Sequence, residues 1–203
     1  MKKVFFFTAL AIALISTACN NANKSHAGHE AEKPAMTHTT PNNADVQVIK
    51  ASFTDVDAKA GAHLEKLMSH YFDMKNALVA EKPTDAKAAA AALLADIKGF
   101  DKSLLTMKQK EVYDNFIMNI QKAASGIAST DQIEQQRSNF ETLSTNLYEL
   151  TKALGAGQKV YRDYCPMAFD NKGAYWLSET EDIRNPYFGD MMLKCGKVKE
   201  IIE

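Results

Sequence analysis

Residues 130–155 read TDQIEQQRSNFETLSTNLYELTKALG, and their spacing sets the fold class. Ile133, Phe140, Leu143, Leu147, Leu150 and Leu154 recur at near-heptad intervals. Residues so spaced line one face of an α-helix and leave the polar residues on the other. Thr130 or Asp131 offers an N-cap oxygen, and Gly155 can leave the helix in a backbone conformation other residues avoid. A lone helix is marginal in water, so this stripe needs neighbours to cover it.

The chain before this stretch supplies three. Residues 55–80 carry Ala60, Leu64, Leu67, Tyr71, Met74 and Leu78 at steps of three and four. Pro83 stops that helix, and Thr84 is placed to cap the next, whose stripe is Ala86, Ala90, Leu93, Ile97 and Phe100. A third helix is expected over 108–125, with Tyr113, Phe116, Ile120 and Ala124 inward and Gly126 ending it. Short connections between four amphipathic helices predict a mainly α protein, an up-down four-helix bundle over residues 52–156. His63 and His70 lie seven apart, about 10 Å along a helix, too far to share one ion, and read as surface or groove histidines. The helices hold no Glu-x-x-His pair of the di-iron type. Arg137, the one arginine among them, reads as a buttress for carbonyls or a carboxylate.

After Gly155-Ala156-Gly157 the period changes, and residues 157–203 read as a small cap packed on the bundle. Residues 159–164 alternate like a strand, Asp170-Asn171-Lys172-Gly173 supplies turn residues, and Ala174–Leu177 reads as the returning strand. Pro186 is suited to start a short helix. On such a helix Cys195 shares a face with Met192 at i, i+3 and with Met191 at i, i+4. Cys165 and Met167 would lie on one side of an extended segment around Pro166. Thiolate and thioether are soft ligands that select Cu(I), so Cys165, Met167, Met192 and Cys195 form a candidate metal site, with Met191 secondary. The alternative is a Cys165–Cys195 disulfide with the methionines as core filler. Closing that loop would contribute roughly 3–4 kcal/mol in the entropic picture.

An enzyme is not expected. The cysteines lack Cys-x-x-Cys spacing, the cap has no histidine to serve a nucleophile, and neither a phosphate loop nor a nucleophile elbow is present.

The N-terminal end reads as an address. Residues 1–18, MKKVFFFTALAIALISTA, have the charged start, short apolar core and small-residue end of a signal peptide. The apolar run is too short to span a bilayer. The small residues running up to Cys19 resemble the lipobox of bacterial lipoproteins, with Ser16 where leucine is usual. Lipidation at Cys19 would anchor the chain in the cell envelope, and Asn20 resembles the signal for the outer membrane, facing the periplasm. Residues 19–51 read as lipid anchor and flexible tether, rich in Asn, Ala, Thr and Pro. Its His26, His29 and His38 are either loose metal captors or plain spacer.

The whole chain has 203 residues, 46% apolar and 24% charged, which suits one globular domain with extensions. Without the two leader lysines, 22 basic residues face 25 acidic ones, so a nucleic-acid partner is not expected.

Several motifs stand together. They are Tyr71-x-x-x-Lys75-Asn76-Ala77-Leu78 and Arg137-x-x-Phe140-x-x-Leu143-Ser144 in the helices, and three in the cap: Tyr164-Cys165-Pro166-Met167-Ala168, Gly173-Ala174-x-Trp176-Leu177-Ser178, and Ile183-x-Asn185-Pro186-Tyr187-Phe188-Gly189 followed by Met192-Leu193-x-Cys195-Gly196. With them the chain resembles a family of bacterial envelope domains of unknown function. Members occur as small lipoproteins and as C-terminal extensions of periplasmic adaptors from copper and heavy-metal efflux pumps. The resemblance implies a copper-buffering or copper-delivering lipoprotein. Its partners would be efflux components or another periplasmic protein, and its membrane contact the N-terminal lipid alone.

Overall fold

The computed structural model describes residues 46–203. The leader, Cys19 and the tether histidines His26, His29 and His38 lie outside the described residues.

The chain is mostly helical, with four long helices followed by a small sheet. The elements are β1 (Gln47–Ile49), α1 (Ala58–Val79), α2 (Pro83–Gly99), α3 (Met107–Ala128), α4 (Ile133–Leu154), β2 (Val160–Cys165), β3 (Ala174–Ser178) and β4 (Lys197–Ile202). α1 packs on α2, α2 on α3, α3 on α4, and α4 back on α1. Most of the expected stripe residues are buried, Phe100, Phe116 and Ile133 only partly: Leu64, Leu67, Tyr71, Met74 and Leu78 on α1 share one core with Ala86, Ala90 and Leu93 on α2 and Phe140, Leu143 and Leu147 on α4.

Several boundaries move. α1 is capped by Asp57, whose carboxylate accepts from the Lys59 and Ala60 amides. α2 starts at Pro83, where the missing N–H costs nothing, so Thr84 is not its cap. α3 begins with a full capping box, Thr106 and Gln109 each bonding the other's backbone N–H. It runs through Gly126 to Ala128, because Ile127 still faces the core. α4 does end at Gly155, at φ +85°.

The sheet order is β1-β4-β2-β3. β2 and β3 form the expected antiparallel hairpin, with Asp163 opposite Trp176 and Cys165 opposite Ala174. β4 adds antiparallel to β2, and β1 adds parallel to β4. β1 corrects the expected extent of the tether. Residues 47–49 belong to the fold, and the chain that follows bonds the end of α4, Ser52 and Phe53 N–H donating to the carbonyls of Lys152 and Ala153. The expected helix after Pro186 is also corrected. Only one 3-10 turn forms there, Gly189–Met192, and Cys195 lies beyond it, so no helical face carries Met191, Met192 and Cys195 together.

The sheet is fixed to α1 and α4 by the residues of the motifs quoted above. Tyr71 Oη accepts from the Leu177 amide at 2.9 Å and donates to Ser144 Oγ at 2.7 Å, while Ser144 donates to the Phe140 carbonyl. Lys75 bonds Ser178 and Glu179, and Asn76 also bonds Glu179. Arg137 Nε donates to the Pro186 carbonyl at 3.0 Å and pairs with Glu81, the buttressing role expected of it. No helix among the described residues is long and apolar enough to cross a membrane.

Candidate functional site

The β2–β4 ladder brings the two cysteines of the cap together. Tyr164 is opposite Lys197, so the residue after Tyr164 and the residues before Lys197 meet at the same end of the ladder. There Cys165 Sγ and Cys195 Sγ lie 2.7 Å apart as two thiols. Cys165 is 0% exposed, and Cys195 is only partly covered.

The segment carrying Cys195 is shaped by short-range bonds. Buried Asn185 donates through its side chain to the Cys195 carbonyl at 2.8 Å and through its amide to the Leu193 carbonyl at 2.9 Å. Its Oδ1 accepts from the Tyr187 amide, an Asx turn ahead of the aromatic residues. The Cys195 amide donates to the Met192 carbonyl at 2.9 Å. Gly196 is at φ +149°, and a Cβ there would sit 2.7 Å from Trp176 Cη2, so glycine beside Cys195 lets the chain pass close to the indole. Burial, then the neighbouring Cys165, pushes the Cys195 thiol up to about 11.

The four expected ligands are therefore not equivalent. Cys165 and Cys195 meet. Met167, two residues after Cys165, is 46% exposed. Met192 contributes its carbonyl. Met191 is 78% exposed and lines a cleft of about 390 Å³ with Arg137, Phe169, Tyr187 and Phe188. No group of three or more His, Cys, Asp or Glu side chains is gathered among the described residues.

A second cluster joins Lys75, Trp176 and Ser178 of the quoted motifs to Asp163, which none of those motifs contains. Asp163, on β2, is fully buried, and neither carboxylate oxygen has a protein partner; the indole N–H of Trp176, directly across the ladder, also lacks one. Burial pushes the Asp163 carboxyl up to about 7 against the pull of nearby Lys75. Lys75, itself buried on α1, sits between Ser178 and Glu179. Burial opposes ionisation of Glu179, but its bonds to Lys75 and Asn76 hold its carboxyl below the usual range. The usable signal was a charged residue in mid-strand: Asp163 occupies an inward position of an alternating segment.

The helix histidines are not a site. His63 is buried, stacks on Phe100 with ring centroids 3.9 Å apart, and bonds Tyr113 Oη at 2.9 Å. Burial lowers its pKa to about 4, so it is a neutral core residue. His70 pairs with Asp96 at 3.0 Å.

No curated protein and no solved structure matches the chain. Residues 67–159, which run from α1 to the residue before β2, match the family described as a protein of unknown function, DUF3347.

Proposed function

We propose that the chain is an envelope-anchored docking module whose C-terminal cap is held by a Cys165–Cys195 disulfide. One observation carries this: the 2.7 Å approach of the two sulfurs at the end of the β2–β4 ladder. Two thiolates around one tetrahedral ion stand about 3.8 Å apart when each bond is about 2.3 Å, as for zinc. The pair is closer than that, and a small side-chain movement closes the bond. Support for an oxidising compartment comes from the leader and from Cys19 as lipid anchor, which would hold the module at the outer membrane facing the periplasm. The circuit of helix contacts supports an up-down four-helix bundle, with the cap at one end of the chain's order. The motif resemblance supports efflux components, or another periplasmic protein, as the docking partner. Alkylating the protein before and after reduction, straight from acid-quenched cells, tests this. Both cysteines should label only after reduction, and labelling of both beforehand would contradict the staple.

The accessibility of Met167, half-exposed and two residues from Cys165 along the chain, favours a second reading, in which the reduced pair binds Cu(I) with Met167 and Met192 and buffers or delivers it. The tether histidines His26, His29 and His38, with Met191, would be secondary captors. Titrating reduced protein with Cu(I) against a competing chelator should give one ion per chain. Equal binding by Cys165→Ser protein would overturn this reading.

A further inference from the structure

We propose that Cys195 is the point at which a dithiol protein of the envelope opens the staple, Cys165 being the leaving sulfur. This rests on the disulfide reading and adds a partner and a direction of attack.

The two sulfurs differ in access. Cys165 ends the central strand β2, is fully buried, and belongs to the continuous core with Ala168, Ala174 and Trp176. An attacker would have to pass through that packing to reach it. Cys195 lies in the loop between the 3-10 turn and β4 and is partly open to solvent. Exchange needs the attacking sulfur in line with the bond that breaks, so with Cys165 inside, the open approach leads to Cys195 from outside. Exposed Lys194 and Lys197 bracket Cys195 in the sequence and favour an approaching thiolate.

The exchange balances with a dithiol as the reductant. The partner's first thiolate attacks Cys195 Sγ and forms a mixed disulfide. The Cys165–Cys195 bond breaks, and Cys165 leaves as a thiolate that takes a proton from water. The partner's second thiol loses its proton and attacks the partner's own sulfur, releasing Cys195 as a thiolate that is then protonated. The pair gains two electrons and two protons, and the partner becomes a disulfide. A partner with one thiol would stop at the mixed species.

The test uses the oxidised full chain and, as probe, a purified thioredoxin-type protein whose second cysteine is replaced by serine, so that the mixed disulfide accumulates. Free thiols are counted first, so a chain that starts with both thiols free fails the disulfide reading itself rather than this one. After acid quenching, peptide mapping should find the probe joined to Cys195, with Cys165 free and alkylatable, in at least tenfold excess over the reverse. Joining mainly at Cys165, equal amounts at both, or no mixed disulfide from an oxidised chain would overturn the proposal.

Discussion

Ionising Asp163 leaves a buried carboxylate on a central strand, with neither oxygen in a formed hydrogen bond and the Trp176 indole N–H across the ladder as its neighbouring donor. At low pH the group is protonated in both folded and unfolded chains. Above about pH 4 the unfolded chain ionises while the folded one holds its proton to about 7, so rising pH removes stability across that window, and the loss is complete above it. Asp163→Asn protein should therefore gain stability relative to the parent between about pH 4 and 7. Thermal melts across the range check this, and a constant difference would rule it out. His63 works in the opposite direction. Its depressed pKa of about 4 means the folded state loses stability as pH falls from about 6.5. Replacing His63 with Gln should flatten that acid limb. Sequence offered only the oddity of a charge in mid-strand, because what decides both titrations is burial by elements distant along the chain.

Single elements were legible where one face repeats, and less so where tertiary contacts choose the ending. The α1–α4 stripes were readable because burial follows helical period. Gly126 did not end α3, because the core contact of Ile127 outweighs the roughly 1 kcal/mol a helical glycine costs. The three residues of β1 are too few to show a period of two, and β4 alone gives them a partner. Met191 and Met192 were placed beside Cys195 on a helix that needed more residues than the turn at Gly189–Met192 provides. The capping box of α3 makes a direct test: Thr106→Ala should cost about 1 kcal/mol in denaturant unfolding without altering the rest of the fold. Tyr71→Phe belongs to the joint between helices and sheet. It leaves the buried Leu177 amide without its acceptor and should cost about 1–3 kcal/mol, with faster hydrogen exchange in β3. Unchanged exchange there would mean the sheet does not depend on this bond.

At the scale of the whole molecule, chain ends and core are tied together. β1 lies beside β4, the Glu203 amide donates to the Ile49 carbonyl, and the next residues run onto the end of α4. A chain of residues 52–203 should melt below one of residues 46–203 and lose protection along β4; equal melting would show that β1 adds nothing. The cysteines of the candidate site were legible as a pair. The form they take was not, because thiolate ligands and a disulfide ask for the same residues and differ only in sulfur separation. The most direct measurement is denaturant unfolding of the oxidised chain and of the chain reduced under argon. Closing a loop whose ends lie 30 residues apart should make the oxidised chain more stable by about 3–4 kcal/mol, with the loss on reduction concentrated in β2, β4 and the segment between them. Equal stability of the two forms, with the cap intact in both, would contradict the staple.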